Sequence, residues 1–193
     1  IEQEEVDKLP EVPKIKSGQA LEKIVLADSK KGWADSVKIL MGSLYEGQNL
    51  YYDYSLIRPE GARLKTMGGR ASGPLPLIKL HDFIRETMHN AQGRKLTSLE
   101  CHDICNQIAE IVVVGGVRRS SQISLSDLND KDMRHAKEWP YPIKRAMANN
   151  SAIYRERPSA AAFLKEWGSL ALSGTGERGI FNLQAAQSKA PSR

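Results

Sequence analysis

Helical runs alternate along this chain with short strand-like runs, and that alternation constrains the fold more than any other feature. Trp33, Val37, Leu40, Met41 and Leu44 recur at helical spacing, which predicts a helix over 30–44 capped by Asp28 or Ser29. Residues 50–57 are tyrosine-rich and alternate like a half-buried strand. Leu77, Leu80, Ile84 and Met88 mark a second helix over 76–91, with Gly93 after its end. Thr97 and Glu100 form a capping box that opens a third helix, with Cys101, Ile104, Cys105, Ile108 and Ile111 on one face. Residues 122–126 read as a strand, 130–137 as a charged helix, 139–150 as a loop and 151–154 as another strand. A helix over 159–172, with Phe163, Trp167 and Leu170 inward, leads through a Gly-rich turn to a last strand at 180–183. The first 19 residues read as an irregular lead-in. Strands separated by helices predict an α/β fold with mostly parallel strands.

Composition excludes several classes. The 193 residues suit one domain or one piece of a larger one. No apolar run approaches a membrane span. Two cysteines rule out a disulfide-rich scaffold, and Cys101 and Cys105 make a single C-x3-C pair rather than a paired C-x-x-C zinc site. A cytoplasmic setting follows. The net charge of +5 suits an anionic ligand such as a nucleotide without demanding nucleic acid. The chain opens without Met and reads as an internal segment of something longer.

Three stretches could carry chemistry. Residues 58–73 hold Arg58, Arg63, Lys65 and Arg70 against Glu60, together with Gly61, Gly68, Gly69 and Gly73. Glycines let backbone N–H groups approach an oxyanion, and the cations neutralise it, so a triphosphate is a natural ligand; the alternative is a solvated loop. It is not a P-loop, since no Gly-x4-Gly-Lys-[Ser/Thr] occurs. Residues 115–121 place Arg118 and Arg119 after two glycines, either as an anion contact or as exposed turn residues. Residues 137–150 hold Lys144, Arg145, Asn149 and Asn150, which could read base edges or form turns. The histidines offer no metal spacing, and the two cysteines read as buried structural thiols.

Taken in order, these stretches resemble one family. Ile57-Arg58-Pro59-Glu60-Gly61-Ala62 and Gly68-Gly69-Arg70-Ala71-Ser72-Gly73-Pro74 look like a signature loop of ribonucleotide reductase large subunits. Arg94-Lys95-Leu96-Thr97-Ser98, Asp103-Ile104-Cys105-Asn106 and Gly116-Val117-Arg118-Arg119-Ser120 are similar to the adenosylcobalamin-dependent (class II) triphosphate reductases. Ala148-Asn149-Asn150-Ser151 and the run from Gly176 to Leu183 fit the same family.

The resemblance implies a single incomplete domain, 1–193, from a ten-stranded α/β barrel of the ribonucleotide reductase type. It implies thiyl-radical reduction of the ribose 2′ carbon, with adenosylcobalamin as radical source and a thioredoxin-like reductant. The family's Asn-x-Cys-x-Glu motif does not occur in this chain, so no catalytic residue is assigned to it. Effector contacts fall on Arg58, Lys65, Gly68, Gly69 and Arg70, for a deoxynucleoside triphosphate. Substrate contacts fall on Arg118, Arg145, Asn149, Asn150 and Ser151, for a ribonucleotide. No metal ion, nucleic acid or membrane is expected as a partner, and the complete protein is expected to be a monomer. The alternatives are a freestanding nucleotide-binding regulatory module without catalysis and a basic RNA-binding domain.

Overall fold

The computed structural model describes residues 2–14, 21–64, 68–112 and 120–191. They divide into two compact units. The first runs to residue 97 and takes in 111–112, and the second holds 98–110 and 120–191.

In the first unit, a one-turn helix α1 (Gln3–Val6) opens the chain inside the expected irregular lead-in. Strand β1 (Glu22–Val25) pairs in parallel with β2 (Leu50–Asp53), and helix α2 (Lys30–Tyr45) connects them. Ser29 caps α2, its Oγ accepting from Gly32 N at 3.0 Å. Gly32 is required there, because a Cβ would lie 2.3 Å from Ala27 O. The buried residues of α2 are Ser36, Leu40, Ser43 and Leu44: of the expected stripe Leu40 and Leu44 are buried, while Trp33, Val37 and Met41 are only partly so. The two serines enter the core because each returns its hydroxyl hydrogen to its own helix, Ser36 to Trp33 O and Ser43 to Leu40 O.

Strand β2 ends at Asp53, not at Ile57, because the Asp53 carboxylate accepts from Ser55 N at 2.9 Å and turns the chain. Helix α3 (Leu75–Asn90) buries Leu77, Leu80, His81, Ile84, Thr87 and Met88. Fully buried leucines such as Leu40, Leu77 and Leu80 each contribute about 2 kcal/mol. Arg85 of α3 reaches Asn49 Oδ1 and Leu50 O, both at 3.0 Å, and lies over the Tyr52 ring.

The second unit is built on a parallel sheet of order β3-β4-β5. Helix α4 (Ser98–Glu110) leads to β3 (Gln122–Asp127), a single-turn α5 (Lys131–Arg134) and a 3-10 turn (Ile143–Met147). Then come the central strand β4 (Ala148–Tyr154), α6 (Ala160–Ser173), β5 (Gly179–Asn182) and α7 (Leu183–Lys189). Side chains of Asp130, Ser159 and Asn182 cap α5, α6 and α7. Gly174 ends α6 at φ 66°, the left-handed closure that suits glycine.

Three expectations are corrected here. Cys101 and Cys105 are exposed rather than buried thiols, because α4 turns His102, Ile104, Asn106 and Ala109 inward instead. On α6 Trp167 is 53% exposed and Glu166 is 5% exposed, because two arginines neutralise that carboxylate inside. Asn149 and Asn150 belong to strand β4, not to a loop, since β3 pairs with both. The parallel α/β class itself holds in both units.

Candidate functional site

The Gly-rich loop of the first unit closes as a narrow hairpin. Gly61 N donates to Ala71 O at 2.9 Å, Ala71 N to Ala62 O at 2.8 Å and Leu64 N to Gly69 O at 3.1 Å. Arg63 and Arg70 stand opposite each other in an antiparallel bridge. Opposed residues of such a bridge send their side chains to the same face, so two guanidinium groups share one exposed side. Gly68 and Gly69 lead into the returning side of the hairpin at φ 64° and 84°. At the base, Gly73 takes φ 70°, and a Cβ there would meet Glu60 N at 2.9 Å.

Arg70 Nη1 donates to Gly61 O at 3.0 Å. Arg58 pairs with a carboxylate instead, its Nε donating to Asp28 Oδ2 at 2.6 Å. The structure thus keeps Gly68, Gly69 and Arg70 together and sets Arg58 apart with its own carboxylate. Lys65 lies outside the described residues. Arg63, named among the loop's cations but not among the effector contacts, joins the group, because its facing of Arg70 depends on hairpin register.

Beneath the sheet edge of this unit runs a buried hydrogen-bond chain. Ser36 Oγ gives its hydrogen to Trp33 O at 2.7 Å, so it accepts from His81 Nε2 at 3.0 Å. His81 Nδ1 is then free to accept from Tyr54 Oη at 2.7 Å. Burial, then the Arg85 charge, lowers the His81 pKa to about 4. Burial, then the Asp82 charge, raises Tyr54 to about 12. Both groups are neutral and tie α2 and α3 to the residue that follows β2.

In the second unit, Arg145 is committed inside the fold. It holds Asp103 with two prongs, Nε to Oδ1 at 2.7 Å and Nη2 to Oδ2 at 2.8 Å, and its Nη1 donates to Ala136 O. Strand alternation splits the next three candidates. Asn149 and Ser151 share the outward face of β4, while Asn150 lies inward beside Ala148 and Ala152. Arg118 lies outside the described residues, as does Arg119.

Inward, the sheet and α4 meet through polar groups. Ser124 Oγ contacts His102 Nδ1 at 3.1 Å, and Gln122 Nε2 donates to Asn106 Oδ1 at 3.3 Å. Burial lowers the His102 pKa below the ordinary imidazole value.

Two charged clusters were not legible as site residues. Arg178 is fully enclosed, donating to Glu166, Ser126 Oγ, Asp127 O and Leu128 O, and Glu166 also holds Arg134. Lys137 and Glu177 form a second, mostly buried pair, joined at 2.6 Å. Both lie in stretches whose motifs stood out, yet nothing local in sequence says which acid meets which base.

Among the described residues, no three His, Cys, Asp or Glu side chains stand together as metal ligands. No helix among them is long and apolar enough to cross a membrane. A corrin cofactor needs a broad apolar bed and an accessible axial side. His81 has both ring nitrogens bonded within its own unit, and His102 is 5% exposed against β3. Neither of these two imidazoles is therefore open as an axial ligand.

Residues 14–88 match the family model described as the insertion domain of B12-dependent ribonucleotide reductase. The chain is 34% identical over 175 residues to an adenosylcobalamin-dependent ribonucleoside-triphosphate reductase of Lactobacillus gasseri, covering 84% of the chain and 22% of that protein. Its counterpart in Euglena gracilis is 33% identical over 147 residues, 74% of the chain and 20% of the relative. The one in Lacticaseibacillus paracasei is 31% identical over 183 residues, 90% and 24% respectively. The chain spans less than a quarter of the length of these relatives. It is, over most of its own length, homologous to one stretch of the adenosylcobalamin-dependent ribonucleoside-triphosphate reductases.

Proposed function

We propose that this chain is the effector-reading and substrate-wall part of a ribonucleoside-triphosphate reductase. The observation that carries the effector half is the Arg63–Arg70 bridge. Two like charges set side by side on an exposed hairpin face are unfavourable alone and favourable around an anion. A deoxynucleoside triphosphate supplies that anion, with Arg63, Arg70, Gly68 and Gly69 around its phosphates, and Lys65 assigned to them by the family resemblance alone. Arg58, held by Asp28, sets the angle of the loop base instead of contacting phosphate.

The outward face of β4 serves the substrate in this reading. Asn149 offers an amide and Ser151 a hydroxyl to a ribonucleotide, and Arg145 and Asn150 hold that face from behind. Arg118 is assigned to a phosphate contact by the family resemblance alone. By the family resemblance, the chain is one incomplete domain of a ten-stranded α/β barrel.

In the whole enzyme, adenosylcobalamin supplies the radical that starts reduction at the ribose 2′ carbon, and a thioredoxin-like protein supplies electrons. Cys101 and Cys105 take no part. They sit one helical turn apart on the exposed side of α4, and partial burial, then the neighbouring Cys105, raises the Cys101 pKa. The complete protein works in this account as a cytoplasmic monomer.

Equilibrium binding of a deoxynucleoside triphosphate to the whole reductase tests the effector half. Replacing Arg63 and Arg70 together by Ala weakens binding by about tenfold or more, since each charged hydrogen bond is worth roughly 1.5–3 kcal/mol. Unchanged binding in that variant contradicts the proposal.

A further inference from the structure

The inference concerns how Asn149 is held, and it rests on the reading of β4 as a substrate face. In a parallel ladder, each residue that faces its neighbour strand gives its N–H to the carbonyl before its partner. Its carbonyl accepts from the N–H after that partner. Ser151 pairs with Gly179, so the register places Glu177 opposite Asn149. Strand β5 begins only at Gly179, and the step opposite Asn149 is made by side chains.

Glu177 Oε2 accepts from Asn150 N at 2.6 Å. Lys137 Nζ donates to Ala148 O. Glu177 Oε1 and Lys137 Nζ close the link at 2.6 Å. The ion pair thus gives residue 148 a donor and residue 150 an acceptor, as one backbone residue would. The two side chains are only 8% and 15% exposed, so solvent screens the link weakly.

The substitution has a consequence for the face. In a continued strand, the side chain of residue 177 would stand beside Asn149, because registered residues share a face. With the Glu177 carboxylate drawn into the ladder, that neighbour is gone. Asn149 remains exposed, with Ile123 as its registered neighbour on the other side. The strand is therefore fixed on both sides of Asn149 while the amide stays open to a ligand.

We propose that Lys137 and Glu177 are positioning residues for Asn149, a two-charge ladder step that sets its amide for the ribonucleotide. The pair acts through the backbone of 148 and 150 and does not touch substrate.

The test is steady-state kinetics of the whole reductase carrying Glu177→Gln, Lys137→Met, Lys137→Arg or Asn149→Ala. Glu177→Gln and Lys137→Met raise KM for the ribonucleotide roughly tenfold, with a much smaller change in kcat. Lys137→Arg, which keeps charge and donor, stays within about threefold of the parent KM. Asn149→Ala raises KM by itself and adds little to Glu177→Gln, because both act on one contact.

A purely structural pair predicts something else: less active protein, with KM unchanged in what remains. That result overturns the proposal. If Asn149→Ala raises KM and Glu177→Gln does not, the ladder step is wrong while the substrate face stands. If Asn149→Ala leaves KM unchanged, the substrate-face reading falls, and the positioning role falls with it.

Discussion

Tyr54 donates its hydroxyl hydrogen to Nδ1 of His81 at 2.7 Å, and His81 passes the order on through Nε2 to Ser36. One strand end and two helices are tied by a chain in which every member is neutral. An imidazolium would have to donate from Nδ1 as well, so the Tyr54 hydroxyl would lose its acceptor and have to turn its hydrogen elsewhere.

Stability should therefore depend on pH through His81. Its folded value of about 4 lies below the ordinary 6.5, so the unfolded chain binds a proton that the folded one excludes. The contribution is intact above about pH 6.5 and is lost as pH falls toward 4, by about 3 kcal/mol in all. Urea unfolding between pH 7.5 and 4.5 measures it, and His81→Gln should flatten the slope. Asp53, lowered to about 2 chiefly by the Lys23 hydrogen bond, acts below that window and does not confuse it.

The Arg145–Asp103 fork should behave as a coupled pair. Asp103→Ala strands a mostly enclosed guanidinium and should cost about 2 kcal/mol. Arg145→Met with Asp103→Ala should cost less than the sum of the two single changes, because the double variant leaves no charge without its partner. Denaturant midpoints of the four proteins settle it. Additive losses would mean that the fork carries no coupling.

Glu166 is the most consequential acid in the second unit. It neutralises Arg134 and Arg178, all three nearly excluded from solvent. Glu166→Gln keeps the shape and removes the charge, and should lower stability by about 3 kcal/mol. A thermal melt that moves by less than a degree or so would show that the arginines are satisfied by the carbonyls of Asp127 and Leu128 alone.

Much of this architecture could be read from the chain. The stripes of α2 and α3 place both helices within two residues of their observed ends, and Ser29 announces its cap. The β3 run was visible because its neighbours are turns. The second unit is harder because its interior is polar. His102 and Asn106 turn inward on α4 because Ser124 and Gln122 meet them, and hydropathy favours the Cys101–Ile108 side instead. Asn149-Asn150 looks like a turn until β3 is aligned beside it. Glu166 looks exposed until two arginines from other elements arrive. In the Gly-rich loop, composition gave the basic character, while the facing of Arg63 and Arg70 required the hairpin register.

The base of that loop offers another check. Gly73→Ala should strain a backbone at φ 70° and push on Glu60 N, at a cost of roughly 1–3 kcal/mol. Effector binding should weaken with it, whereas Gly42→Ala, with nothing within 4 Å of the added carbon, should leave binding unchanged. Titration calorimetry with a deoxynucleoside triphosphate reads both.

The most direct measurement is substrate choice by the whole reductase. Four ribonucleoside triphosphates are offered together, with one deoxynucleoside triphosphate effector at a time, to the parent protein and to the Arg63→Ala, Arg70→Ala double variant. The account predicts that the parent changes its preferred substrate with the effector, and that the double variant reduces all four with a ratio no effector alters. A double variant that still switches substrates like the parent would contradict it.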